Sequence, residues 1–175
     1  MIATILCGLP MCGKTTIGRL LAKQLKLSFI DTDDLIEEAY RAKVGEKYAC
    51  PQIFSVEGEV SFRALERLQI VSLKPVFPCI IAIGGGTLND PINTKYLKEI
   101  GRFIYLKART DILWERMLVH GIPKYLEIKN PQKAFEEVAE KRKIAYELAA
   151  DITIDTQNLD QNAIVASILK RINGK

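Results

Sequence analysis

The chain has 175 residues, 48% hydrophobic and 26% charged, enough apolar material for a sizeable core and unlike disordered, collagen-like or coiled-coil chains. No apolar run reaches the roughly 18 residues of a membrane span, and the N-terminus lacks the basic region, apolar stretch and cleavage site of a signal peptide, so a cytoplasmic protein with no membrane partner is expected. A net charge of +4 suits an anionic ligand, but the 25 basic and 21 acidic residues are interspersed without a basic tail, which gives no sign of nucleic-acid binding. Cys7, Cys12, Cys50 and Cys79 are scattered and joined by a single His, so reduced structural thiols are expected in place of a zinc site.

In chain order, Ile2 to Cys7 is a short uncharged run ending in a Gly/Pro-bearing loop, the pattern of a buried strand. From Lys14 the apolar residues Ile17, Leu20, Leu21 and Leu25 follow helical spacing. Ser28 to Asp31 reads as a second strand, and Asp33 or Asp34 is expected to cap a helix carrying Leu35, Ile36 and Ala39. Residues 51–73 read as one or two helices interrupted near Gly58, and Cys79 to Ile83 is a third strand that runs into Gly84-Gly85-Gly86. Helix over 90–99, strand Phe103 to Leu106, helices over 110–119 and 131–149, strand Ile152 to Ile154 and a helix from Ile164 to Ile172 complete the chain. Strands that are uncharged on both faces and alternate with helices predict an α/β fold, a parallel sheet covered on each side. Without linker or repeat, residues 1–175 are expected to be one domain, and the aperiodic stretch around 118–131, with Gly121, Pro123 and Pro131, is a candidate lid.

Gly8-Leu9-Pro10-Met11-Cys12-Gly13-Lys14-Thr15 fits G-x-x-x-x-G-K-[ST] between a predicted strand and a predicted helix. Such a loop turns backbone N–H groups and a helix N-terminus onto phosphate oxygens, with Lys14 reaching the outer phosphates and Thr15 offering a hydroxyl to Mg²⁺. ATP with Mg²⁺ is the expected cofactor pair. Neither an N-K-x-D base-reading motif nor a strand ending in a Walker B carboxylate is present, so the metal's acidic partner must come from elsewhere. Asp31 ends the second strand, and on an extended segment Asp31 and Asp33 would project to one side toward the phosphate loop. One could serve the metal and the other a substrate hydroxyl; helix capping accounts for Asp33 equally well.

The series Gly8 to Thr16, Asp31-Thr32-Asp33, Phe62-Arg63-Ala64-Leu65-Glu66, Gly84-Gly85-Gly86 and Lys141-Arg142 with Tyr146 resembles the ordered motif set of shikimate kinase, over about residues 2 to 173. The resemblance implies phosphorylation of the shikimate 3-hydroxyl by ATP on the route to chorismate and aromatic amino acids. It also implies a nucleoside-monophosphate-kinase-like fold, a five-stranded parallel sheet in the order 2-3-1-4-5 with a closing lid, substrate-binding helices about 33–73, and a monomer. Matched residue by residue, it makes Gly8, Met11, Cys12, Gly13, Lys14, Thr15 and Thr16 the nucleotide-binding loop and Asp31, with Thr15, the metal site. Asp33 would bind the diol and accept the proton, Arg63 and Arg142 would grip the substrate carboxylate, and Glu66 would orient Arg63. Gly84, Gly85 and Gly86 would approach the substrate with their backbone, and Arg116 would stack on adenine.

Some of these residues can be weighed on their own. Arg142 shares a helix face with Phe135, Ala139, Tyr146 and Ala149, so its guanidinium needs an anion, either a ligand or a structural ion pair. Arg63 has Glu59 and Arg67 four residues away on either side and Glu66 three away, which by itself reads as an exposed helix surface. Arg116 sits in surroundings that fit a solvated charge, and Trp114 reads as packing. The pattern breaks in the lid, where the family carries an Arg before a Pro and this chain has Ile122 before Pro123. Lys124 is the nearest replacement, a point charge lacking the planar fork of Arg; Lys129 and His120 are the other cations there, with no acid–base role expected of His120. Two further readings remain at this point: another small-molecule kinase, for gluconate or a nucleoside monophosphate, and a nucleotide-binding module that has lost catalysis with its lid Arg.

Overall fold

The computed structural model describes residues 2–123, 126 and 129–174. Their strands are β1 (Ala3–Cys7), β2 (Ser28–Asp31), β3 (Cys79–Ala82), β4 (Gly101–Lys107) and β5 (Ile152–Asp155), all parallel and ordered β2-β3-β1-β4-β5. The expected five-stranded sheet and its order are therefore present. Successive strand residues point to opposite faces, and every residue of β3 is buried, so helices cover both sides of the sheet. They are α1 (Lys14–Leu25), α2 (Thr32–Val44), α3 (Cys50–Val71), α4 (Pro91–Ile100), α5 (Thr110–His120), α6 (Pro131–Ala149) and α7 (Gln161–Asn173). Among the described residues no helix is long and apolar enough to cross a membrane.

The register brings the functional loops together. Leu6 of β1 and Asp31 of β2 both lie opposite Ala82 of β3. The loops that leave the carboxyl ends of these three adjacent strands therefore meet at one edge of the molecule, where α/β proteins bind ligands. The main core contains Ile5, Leu6, Ile80, Ile81, Phe103 and Tyr105 from the sheet, with Leu21, Leu97, Met117 and Ile168 from the covering helices. A second cluster, Ile36, Tyr40, Cys50, Ile53 and Phe62, joins α2 to α3. Helix α3 is broken at Gly58, whose φ of 77° and ψ of 168° are open to glycine and strained for other residues.

Element boundaries differ from expectation where polar side chains decide them. Helix α2 begins at Thr32, because the Asp31 side chain accepts from the Asp33 N–H at 3.1 Å and caps it. The expected cap at Asp33 or Asp34 is thus corrected, and Asp33 is a residue of the first turn. Helix α7 starts at Gln161 under an Asp160 cap, a first turn whose polar residues carry no apolar period. A short 3-10 turn, Thr87–Asn89, intervenes between the three glycines and α4. In the candidate lid, Leu126 is buried in the main core and Ile122 packs against it; Lys124 lies outside the described residues.

Gly101 opens β4 where a Cβ would sit 2.7 Å from both the Ala3 carbonyl oxygen and Ile5 Cδ1. A backbone atom cannot yield as a side chain can, so Gly101→Ala is expected to destabilise the fold by about 1–3 kcal/mol, measured as a lower Tm in thermal denaturation.

Candidate active site

The loop from Gly8 to Gly13 wraps over the end of β1. Gly13 has φ 93° and Met11 φ 65°, left-handed conformations that turn successive peptide groups inward; Met11 accepts the strain of a side chain there. The N–H groups of Lys14, Thr15 and Thr16 begin α1 and, among the described residues, have no acceptor. Those orphan donors and the helix dipole form an anion site. Lys14 Nζ spans the loop, donating to the carbonyls of Gly8 (2.9 Å) and Leu9 (3.0 Å). Gly8 itself lies beneath the loop, where a Cβ would come within 2.8 Å of Cys12 Sγ and the Leu106 carbonyl oxygen. It shapes the loop and does not line the cavity.

Thr15 Oγ1 donates to Asp31 Oδ2 at 2.7 Å, while the other Asp31 oxygen caps α2. Since Asp33 is helical, it reaches the cavity from the first turn of α2 and not by the extended projection expected for it. Its carboxyl is pushed up to about 6, first by burial and then by the neighbouring Asp31 carboxylate, against the opposing pull of Lys14. Thr32, fully buried between the two acids, accepts the Gly84 N–H on Oγ1 at 3.1 Å. This tie between the start of α2 and the glycine loop has no motif of its own and escapes sequence reading.

The three glycines sit under a wall of side chains. A Cβ on Gly84 would lie 3.0 Å from Asp33 Oδ1 and 3.1 Å from Glu66 Oε1, and one on Gly86 would collide with the Arg63 guanidinium. Only glycine leaves room for these groups. Glu66 is 2% exposed and takes two hydrogen bonds, from Arg63 Nη1 at 2.6 Å and Thr87 Oγ1 at 2.8 Å. Arg63 lies over the rings of Phe54 and Phe62. The surface reading of Arg63 from its helical neighbours is overturned, because Arg67 turns away to pair with Asp90 at 2.6 Å and Glu66 faces inward.

Arg142 is 9% exposed on the apolar face of α6. Among the described residues its guanidinium has no acceptor, and its Nε is buried without a partner. Among the described residues no structural ion pair, the alternative left open by the sequence, is made by Arg142. Arg142 shares a cavity of about 800 Å³ with Lys14, Asp31, Asp33, Arg63 and the three glycines. Arg116 Nη1 donates to the Met11 carbonyl at 3.0 Å and lines both this cavity and a neighbouring one of about 690 Å³, where Cys12, Thr16, Asp160 and Asn162 also lie. His120 lines both as well. The arrangement can hold a polyphosphate at the loop, a hydroxyl at Asp33 and a second anion at Arg142.

A family model for shikimate kinase matches residues 10–173. The chain is 34% identical over 175 residues to a shikimate kinase of Thermodesulfovibrio yellowstonii, covering 98% of this chain and 97% of the relative. It is 38% identical over 151 residues to a shikimate kinase of Thiobacillus denitrificans, covering 86% and 79% respectively. Among solved structures, shikimate kinase from Acinetobacter baumannii in complex with shikimate matches at a TM-score of 0.84 with 30% identity, over 99% of this chain and 93% of that one.

The raised Asp33 carboxyl has a consequence for both activity and stability. Because its folded value of about 6 exceeds the ordinary 3.8, the folded chain binds an extra proton between them, and stability falls as pH rises through that window. Asp33→Asn is expected to raise Tm at pH 8 and to lose that advantage near pH 4, while abolishing phosphoryl transfer at both. In the wild type, kcat/KM should climb as pH passes about 6, the value at which free Asp33 ionises.

Proposed function

The chain belongs to the shikimate kinase family, and from that membership we propose that it moves the γ-phosphoryl group of ATP to the 3-hydroxyl of shikimate through the residues described above. The observation that carries the assignment to these residues is Arg142, a nearly buried guanidinium with no anion beside it among the described residues, lining the cavity that the phosphate loop also lines. Leaving such a charge uncompensated costs several kcal/mol, and a ligand carboxylate supplies the missing partner in bidentate form. Arg63, held by Glu66, flanks the same carboxylate, and the free N–H groups of Gly85 and Gly86 face the substrate.

The loop N–H groups and Lys14 hold the phosphates, with Lys14 leaving the Gly8 and Leu9 carbonyls to meet the outer phosphate. Asp33 takes the proton of the 3-hydroxyl as that oxygen attacks phosphorus in line and the bond to the ADP oxygen breaks. Thr15 and Asp31 are paired hard oxygen donors suited to Mg²⁺, which takes one or two protein ligands besides phosphate and water. When bound, that ion neutralises phosphate charge. Gly13, Thr16 and Met11 shape the nucleotide side, and Arg116 with Cys12 borders the pocket assigned to adenine. Lys124 supplies the lid cation in place of the family's Arg. We further propose a cytoplasmic monomer that engages neither nucleic acid nor membrane, its basic and acidic residues being interspersed without a basic tail.

An ADP-release assay with and without shikimate tests the reading. Stimulation by shikimate, and by neither gluconate nor nucleoside monophosphates, is the expected result; ATP binding without turnover on shikimate would overturn it. Arg142→Ala should raise KM for shikimate about 10- to 100-fold, the worth of a lost charge-assisted contact, with ATP binding retained. Arg142→Lys recovers only part, since an ammonium cannot bridge both carboxylate oxygens. Lys124→Ala should lower kcat about tenfold or more, and an unchanged kcat would remove Lys124 from the mechanism.

A further inference from the structure

Four of the six main-chain polar groups of the three glycines are paired within the protein. The Gly84 N–H donates to Thr32 Oγ1, the Gly84 carbonyl accepts from the Thr87 N–H at 3.2 Å, and the Gly86 carbonyl accepts from the Asn89 N–H at 3.0 Å. The Gly85 carbonyl takes its hydrogen bond from a distant side chain, the Tyr146 hydroxyl on α6, at 2.5 Å. Among the described residues, only the N–H groups of Gly85 and Gly86 within this loop are left without an acceptor.

The Gly85 carbonyl and the Gly86 N–H belong to one planar peptide group and point in opposite directions. Flanked by two glycines, that group has no Cβ on either side to hinder its rotation. Tyr146 therefore sets its orientation: while the hydroxyl holds the carbonyl toward α6, the N–H is held away from α6. Arg142 lies one turn earlier on the same helix, its Nη1 only 3.2 Å from where a Gly85 Cβ would sit, so a single helix aims both the guanidinium and the peptide donor.

We propose that Tyr146 is a positioning residue for the acceptor substrate, fixing the Gly85–Gly86 peptide so that its N–H and the Arg142 guanidinium act on the same anionic group. The proposal rests on the reading of this cavity as the shikimate site. The packing of Tyr146 is separable from its hydroxyl. Its ring lies 5.2 Å from that of Tyr105, and the Tyr105 hydroxyl, equally buried, has no partner among the described residues. Tyr105→Phe is thus a matched control.

Calorimetric titration with shikimate and steady-state kinetics on Tyr146→Phe and Tyr105→Phe decide the matter. Tyr146→Phe is expected to weaken shikimate binding and raise its KM about three- to tenfold, the factor of one lost hydrogen bond, with KM for ATP unchanged. Tyr105→Phe should leave both constants unchanged, and 4-aminophenylalanine at position 146, which keeps a donor, should restore affinity. Wild-type shikimate affinity in Tyr146→Phe, or an equal rise in both KM values, would overturn the proposal while the shikimate assignment stands. A wild-type protein that neither binds nor phosphorylates shikimate would overturn both. If Tyr146→Phe is too unstable for kinetics, the rise in Tm on adding shikimate reads the same loss, being smaller than in the wild type if the proposal holds and equal to it if not.

Discussion

The Arg142 guanidinium, without a partner among the described residues, is the constraint around which the rest of the site is organised. A charge 9% exposed on an apolar helix face calls for an anion to complete it. The groups across the cavity define what that anion is. Lys14 and the open N–H groups of α1 offer positive charge suited to phosphate, Arg142 and Arg63 offer guanidiniums suited to a second anion, and Asp33 lines the same cavity. A molecule that satisfies all three carries a carboxylate and a hydroxyl on one rigid frame and presents the hydroxyl to a polyphosphate. A neutral polyol would bring no anion to Arg142, and a plain carboxylate would leave Asp33 without a proton to accept. Selectivity is thus written in the charges that lack partners rather than in the shape of the cavity.

That layout demands a concentration of carboxylates that destabilises the fold. Asp31, Asp33, Glu37 and Glu66 lie near one another, and their mutual repulsion adds to burial in raising Asp33. The same carboxylates, with burial as the larger cause, raise the Cys50 thiol, which stays a neutral donor to the Asp33 carbonyl at 3.5 Å. Three of the acids are relieved by hydrogen bonds: Asp31 by Thr15 and the Asp33 N–H, Glu37 by the Cys50 N–H, Glu66 by Arg63 and Thr87. Asp33, the one assigned to chemistry, has no such relief and keeps its affinity for a proton. Strain at the reacting group with satisfaction around it is the pattern expected where function and stability compete.

How much of this was legible in the sequence depended on whether a residue's role is set locally. The phosphate loop is local, and its spacing identified it. Arg142 was legible because helical period alone puts it among Phe135, Ala139 and Tyr146. Asp33 was ambiguous because the answer turned on which residue starts α2, and Asp31 does so with one oxygen while its other accepts from Thr15. Arg63 misled because its neighbours at helical spacing mimic a surface; what defines it is the burial of Glu66 and the rings of Phe54 and Phe62, set by packing of α3. Thr32, Thr87 and the Tyr146–Gly85 bond join segments far apart in the chain, and only the sheet register brings them within reach. Tyr146 did carry one signal, a hydroxyl-bearing ring on the buried face one turn from Arg142, but nothing in the sequence named its partner.

The departure at Ile122 shifts weight onto the phosphate-loop side of the reaction. An apolar residue that packs toward the core cannot neutralise a transferring phosphoryl group, so more of the charge falls to Lys14 and to whatever cation the rest of the lid brings. Arg116 marks how lid and loop are joined: it projects from the helix leading into the lid and binds the carbonyl of Met11, a residue held in the left-handed conformation inside the loop. The same guanidinium borders both cavities. Arg116 thus ties α5 to the phosphate loop through one of its five N–H donors and has others left for a ligand in either cavity.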